Sequence, residues 1–214
     1  SMGNYVFTTK ALIDIVTPKE GREKPSDIGG DVIPSLTRAG RARVYDFSKN
    51  EIPGQVPLER GYWRDVGSLD AYYDANMDLI KPMPLFDLYN EQWPIYSLQL
   101  PLPPAKLSRG ADGTSPSVTN SLLCAGSIVS GGRIDHSIIG TDVFVDSSAE
   151  VTESILFPGV RVGPGARLHR CILDKNVVVP TGAAIGVEPD ADRARFTMSA
   201  NGIAVVPKDF KLTS

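Results

Sequence analysis

The stretch VDSSAEVTESILFPGVRVGPGARLHRCILDKNVVVPTGAAI, residues 145–185, decides the fold. Set in register at 17 residues, its segments VDSSAE, VGPGAR and VPTGAA stand over one another. Val145, Val162 and Val179 then share a row that extends back to Ile128. Ile134, Val151, Leu168 and Ile185 form a second row, and Ile139, Leu156 and Leu173 a third, flanked by Ile138, Ile155 and Ile172. Val143, Val160 and Val177 add another, and small residues (Ala149, Ala166, Ala183) recur four places after the aliphatic one. Within a period the main aliphatic positions step by 6, 5 and 6. An amphipathic helix needs a period near 3.6, and a half-buried strand alternates by two. Steps of five and six predict instead a solenoid of short parallel strands around a triangular core, with three to four coils between residues 122 and 187. Glycine and proline serve its corners.

A hexad with an aliphatic residue first and a small one fifth resembles the left-handed parallel β-helix of hexapeptide-repeat proteins. Some of those are acyltransferases in which a histidine acts as a base between coils. The two histidines here are His136, two places after Ile134, and His169, directly after Leu168. Each is either a general base or a solvated residue on the outside of a coil. Their separation is not a whole number of periods, so they do not stack as a pair.

Composition narrows the classes. A net charge of −3 over 214 residues gives no reason to expect nucleic-acid or membrane binding. Cys124 and Cys171 lack metal-ligand spacing, which fits a reduced, cytoplasmic setting. No apolar run approaches the roughly 20 residues needed to span a bilayer, and no secretory signal is legible. The opening Ser1-Met2-Gly3-Asn4-Tyr5-Val6-Phe7 reads like the start of a buried strand, as if the chain began inside a domain.

Residues 1–80 read as alternating α and β. Asn4–Phe7 is an expected strand; Thr8 or Thr9 caps a helix carrying Ala11, Leu12, Ile15 and Val16, ended by Pro18. A polar loop covers 18–26, and Ser26 or Asp27 opens a further short element that stops near Gly40. Arg43–Phe47 is the next expected strand, and Ser68 caps a helix with Leu69, Tyr72, Tyr73, Met77 and Leu79 on its apolar side. Residues 81–118 hold prolines 82, 84, 94, 101, 103, 104 and 116, which exclude a long helix. Leu85, Leu88, Trp93, Ile95, Tyr96 and Leu98 make this an ordered, packed linker rather than a tether; the alternative, a proline-rich binding segment, lacks a PxxP array. The solenoid domain is placed at 119–214. Trp63, Arg64 and Asp65 precede the Ser68 helix. By residue type alone, Asp65 either presents a carboxylate at a site, pairs with Arg64 or caps the helix.

The order of these parts resembles the glucose-1-phosphate adenylyltransferase family, also called ADP-glucose pyrophosphorylases. The resemblance runs through SMGNYVF, SDIGGDVIP, YWRDVGSLDAYYDANMDL, LPPAK at 102–106, the coils and DADRARFTMSANGIAVVPKD. It implies the C-terminal part of a Rossmann-like, glycosyltransferase-A-like nucleotidyltransferase domain, followed by a left-handed parallel β-helix for assembly and regulation. It further implies that ATP and glucose 1-phosphate give ADP-glucose and pyrophosphate for glycogen synthesis, with Mg²⁺ and cationic groups neutralising the leaving group. By this resemblance Ser1, Tyr5, Asp27 and Trp63 contact glucose 1-phosphate, and Asp65 is a magnesium ligand. The family also implies a homotetramer with phosphorylated metabolite effectors. Among the cations Lys106, Arg109, Arg167, Arg170, Lys208 and Lys211, the best-matching segments hold Lys106 and Lys208. The family's glycine-rich, arginine-containing triphosphate loop has no counterpart in these residues. The expectation is that this polypeptide alone is inactive. A non-catalytic regulatory paralogue or subunit is the alternative.

Overall fold

The aliphatic rows are the inner faces of three parallel sheets in the computed structural model, which describes residues 2–17, 25–98, 100–210 and 212. One face stacks Lys106–Ser108, Ile128–Ser130, Phe144–Val145, Arg161–Val162 and Val178–Val179. The second stacks Ser117–Thr119, Arg133–Asp135, Glu150–Thr152, Arg167–His169 and Ala184–Ile185. The third stacks Leu122–Leu123, Ile138–Ile139, Ile155–Leu156, Cys171–Leu173 and Ala204–Val206, with Thr197–Met198 antiparallel beside the last. The first strands, Lys106–Ser108 and Ser117–Thr119, fall within the stretch read as linker. Ile134, Val151, Leu168 and Ile185 stand in one register and are buried together, as are Ile139, Leu156 and Leu173.

One row is displaced from its expected register. Val129, not Ile128, lies beneath Val145 and points inward, while Ile128 pairs with Phe144. The corner through Gly131 and Gly132 is one residue shorter than the corner through Ser147 and Ser148. Only glycine allows the shortcut: a Cβ on Gly132 would come within 2.7 Å of Val145 Cγ1, and one on Gly131 within 2.8 Å of the Gly110 nitrogen.

Each corner carries a column of left-handed residues. Gly131, Ser148, Gly165 and Gly182 form one, Gly126, Asp142, Gly159 and Asn176 another, and Asn120, His136, Glu153 and Arg170 the third. In that conformation the corner N–H points down the stack, so His136 donates to the Thr119 carbonyl, Glu153 to Asp135 and Arg170 to Thr152. The members other than glycine, asparagine and aspartate each sacrifice about 1–2 kcal/mol of backbone preference for that bond. Next to the third column runs a buried ladder. The Ser137 amide donates to Ser121 Oγ at 3.0 Å, Ser154 to Ser137 Oγ at 3.1 Å, and Cys171 to Ser154 Oγ at 3.3 Å. Burial pushes the Cys171 thiol up to about 12, so it packs as a neutral side chain.

The last coil is closed by a helix, Pro189–Arg195, whose fully buried Asp192 accepts the Gly186 N–H at 2.8 Å and the Arg195 guanidinium at 3.0 Å. Phe196 and Phe210 meet edge-on beneath it, ring centres 5.8 Å apart. The outer side of the third face is covered by α3, Leu69–Leu79, which Ser68 caps by accepting the Ala71 N–H. Tyr73, Met77 and the following Ile80 pack on Ile155, Ile172 and Ile203. Tyr73 Oη donates to the Glu153 carbonyl at 2.7 Å, and burial raises its hydroxyl to about 12.

These elements belong to one compact unit, Ile52–Ser214; Ser1–Glu51 forms another. In the smaller unit helix α1, Thr9–Val16, follows a Thr8 cap, and Asp27 caps a widened turn, Ile28–Val32, that runs into helix α2, Ile33–Arg38. Most of the 18–26 loop, residues 18–24, lies outside the described residues. The strands expected at Asn4–Phe7 and Arg43–Phe47 do not form. A strand needs a ladder partner, and no described residue pairs with either segment; Val6 and Val44 are fully exposed. Phe47–Lys49 instead makes a short 3₁₀ turn capped by Asp46. The linker is packed only in part. Phe86 stacks on Tyr62 at 5.1 Å, and buried Glu59 accepts the Val56 and Asp87 amides. Trp93, Ile95, Tyr96 and Leu98, expected to pack, are exposed, because no described element covers them.

Ser154→Ala is expected to lower unfolding stability by about 1–3 kcal/mol in urea titration, since the buried Cys171 N–H loses its acceptor. Gly186→Ala should cost more, because its Cβ would fall 1.6 Å from the His169 carbonyl oxygen at a positive φ of 75°.

Candidate functional site

Asp65 sits in an extended segment held from both sides. Upstream, Tyr62 is fixed by its stack on Phe86, with the Arg64 guanidinium 5.8 Å from the Tyr62 ring centre. Downstream, α3 is fastened to the solenoid through Tyr73. Asp65 neither caps α3, a role taken by Ser68, nor forms an ion pair with Arg64 among the described residues. Its Oδ1 accepts the Gly67 N–H at 2.9 Å, the short turn that lets the chain swing into the helix. The other oxygen makes no hydrogen bond to a described residue.

The segment borders a cleft of about 600 Å³ lined by Trp63, Arg64 and Asp65, by Asp74, Asp78 and Lys81 of the α3 region, and by His136 of the solenoid corner. That volume lies within the range of small-molecule sites. Trp63 is 42% exposed, so it lines the cleft rather than filling the core. Asp78 is buried; Lys81 Nζ donates to its Oδ1 at 2.7 Å and the Leu85 N–H to its Oδ2 at 3.2 Å. Burial alone would raise its carboxyl, but these bonds and the nearby Arg64 charge hold it below the usual 3.8. No trio of His, Cys, Asp or Glu among the described residues is arranged to hold a metal ion. A lone exposed carboxylate still fits Mg²⁺, which takes one or two carboxylates and completes its shell with phosphate and water.

In the smaller unit Tyr5 and Asp27 come together. Tyr5 Oη lies 3.3 Å from the position a Gly29 Cβ would occupy, and both Asp27 oxygens lie within 4 Å of the same point. Both are committed, Oδ1 to the Gly29 N–H and Oδ2 to the Gly30 N–H. Asp31 completes the cap: its Oδ2 accepts the Ser26 hydroxyl and the Ser26 and Asp27 amides, which hold its carboxyl low. Ser1 lies outside the described residues.

Lys106 and Lys208 are not neighbours. Lys106 starts the first coil and Lys208 follows the last, so the whole stack lies between them. Lys208 Nζ faces Asp209 at 3.8 Å. His169 is tied by Nδ1 to Thr152 Oγ1 at 2.9 Å, whereas His136 lines the cleft. Sequence reasoning left His136 as either a general base or a solvated residue on the outside of a coil. Its position, directly before the ladder residue Ser137, was the available signal.

A nucleotidyltransferase segment joined to a hexapeptide-type parallel solenoid is the class these features define. Residues 1–82 match the nucleotidyl transferase family model, and residues 103–206 match the GlmU-like C-terminal hexapeptide model. Curated relatives named glucose-1-phosphate adenylyltransferase are 48% identical in Arthrobacter sp. (strain FB24), over 97% of this chain and 45% of the relative. The Corynebacterium diphtheriae relative is also 48% identical, over 98% of this chain and 48% of its own length. The Bifidobacterium adolescentis relative is 46% identical, over 97% and 51%. Over the stretch it covers, the chain is a homologue of the glucose-1-phosphate adenylyltransferases, and it spans about half the length of these relatives.

Asp78→Asn should lower stability at pH 7 by about 1–3 kcal/mol. Its folded carboxyl titrates below its unfolded value, so its contribution is present above about pH 4 and lost as pH falls through the folded value. Urea titrations of both proteins should therefore show the difference in stability narrowing as the pH is lowered below about 4.

Proposed function

We propose that this chain is the sugar-phosphate-binding and assembly portion of an enzyme that transfers an adenylyl group from ATP to glucose 1-phosphate. A phosphate oxygen of the sugar ester would bond to the α-phosphorus as the bond to the β-phosphate oxygen breaks, giving ADP-glucose and pyrophosphate. The reading rests on the alignment of nearly all of this chain with relatives of that name, together with a cleft in which one Asp65 oxygen makes no hydrogen bond to a described residue. Asp65 would hold Mg²⁺, which supplies charge neutralisation for the departing pyrophosphate. Trp63 would bound the sugar. In the smaller unit, Tyr5 is proposed as a further sugar-contacting residue, while Asp27, whose oxygens are occupied by amides, would act mainly by shaping its turn. Ser1 carries the same proposed sugar contact.

A cytoplasmic enzyme of glycogen synthesis, assembled as a homotetramer and answering to phosphorylated metabolites, is the wider setting proposed. No described helix is long and apolar enough to cross a membrane. With Lys106 and Lys208 at opposite ends of the stack, effector binding at each would be a separate event, or would need partners from elsewhere in an assembly.

The test is pyrophosphate release from ATP, glucose 1-phosphate and Mg²⁺ by a protein spanning the relatives' full length. Asp65→Asn is expected to lower turnover at least about a hundredfold with unchanged thermal unfolding. These 214 residues alone should release none. A folded full-length protein without activity would overturn the enzymatic reading in favour of a regulatory subunit.

A further inference from the structure

The Asp65 cleft is not built by the nucleotidyltransferase segment alone. His136 belongs to the solenoid, in the corner column Asn120, His136, Glu153 and Arg170. Its backbone is left-handed, with φ of 50°, and its N–H is bound to the coil before it, so the position of its Cβ is set by the stack rather than by α3. The next column member, Glu153, supplies the carbonyl that holds Tyr73 of α3, and its carboxylate pairs with Arg170 at 3.4 Å. Solenoid corner and α3 are thereby locked to each other, and of the column only His136 reaches the cleft.

Charge inside the cleft is unevenly spent. Asp78 and Lys81 neutralise each other. Among the described residues, Asp65, with one oxygen used by Gly67, and Asp74 remain as carboxylates, and Arg64 and His136 remain as donors for an anion. Asp135, on the strand leading to His136, is engaged by the Thr119 hydroxyl at 2.6 Å. A cleft that offers both a carboxylate for a hydrated cation and planar nitrogen donors for an anion suits a phosphate ester.

We propose that the solenoid takes part directly in ligand binding, with His136 donating from its imidazole, alongside Arg64, to the phosphoryl group of a sugar phosphate in the Asp65 cleft. The inference rests on the adenylyl-transfer reading and makes His136 a substrate-binding residue, distinct from His169.

The chain carries two histidines, so proton NMR of the imidazole Cε1–H groups reports on each separately once His136→Asn has assigned them. Asparagine tolerates the left-handed corner, so the variant keeps the fold. Titration with glucose 1-phosphate should shift the His136 signal saturably and leave His169, held by Thr152, unmoved. Inorganic phosphate should need roughly tenfold higher concentration, the loss expected when one charge-assisted hydrogen bond is made without the sugar's contacts. No shift at His136, equal shifts at both histidines, or equal potency of phosphate and ester would each overturn the proposal. In a protein of the relatives' length, His136→Asn should raise KM for glucose 1-phosphate roughly tenfold more than it lowers kcat. If Asp65→Asn abolishes turnover while His136→Asn leaves KM unchanged, this inference falls and the enzymatic reading stands. If Asp65→Asn leaves turnover intact, the enzymatic reading itself falls.

Discussion

The backbone N–H at each solenoid corner donates to a carbonyl of the coil before it, and it can do so only where the corner residue adopts the left-handed conformation. Three columns of such residues run the length of the stack, and the sheets between them are only two or three residues wide. Strands that short gain little from their own ladders. The corners therefore decide whether successive coils stay in register, and the inward rows of valine, isoleucine and leucine bury what that register aligns. Two columns hold mostly glycine, asparagine and aspartate, which tolerate the conformation. The third holds His136, Glu153 and Arg170 and bears the preference cost there, at the edge where the solenoid meets α3.

From that edge the rest of the larger unit follows. The outward isoleucines of the third face need cover, and Tyr73, Met77 and Ile80 provide it. The Tyr73 hydroxyl has one acceptor, the Glu153 carbonyl, which fixes the helix along the stack. With α3 fixed, the segment before it carries Trp63, Arg64 and Asp65 to the cleft that His136 also borders. Asp78 then lies buried between the helix end and the linker, kept ionised by Lys81 and the Leu85 amide against the cost of burial.

Several carboxylates that residue type alone nominates for chemistry are occupied with the backbone. Asp27 holds two glycine amides, Asp46 holds the Ser48 amide, and Glu59 joins Val56 to Asp87. Asp65 also holds such a turn, through Oδ1, and lines the cleft as well. A turn-forming aspartate and a ligand-binding one look alike in sequence, since both sit among glycine and small polar residues at the end of an extended segment.

The sequence by itself determined the solenoid, because burial repeats wherever the chain returns to the same face, and a repeat of inward positions is visible without coordinates. It also marked the Ser68 cap, the Asp27 turn and the Trp63–Asp65 segment, all of which depend on neighbours a few residues away. Only the tertiary structure decided that the coil from Val129 to Val145 is one residue short, since that depends on two glycines fitting against Val145 and Gly110. It also decided that Asn4–Phe7 and Arg43–Phe47 join no sheet among the described residues, a property of what lies beside them rather than of their own residues. His136 reached the cleft by the same kind of cause. Its place depends on a corner conformation and on a Tyr73–Glu153 bond between residues 80 positions apart, and no local pattern encodes a contact of that range.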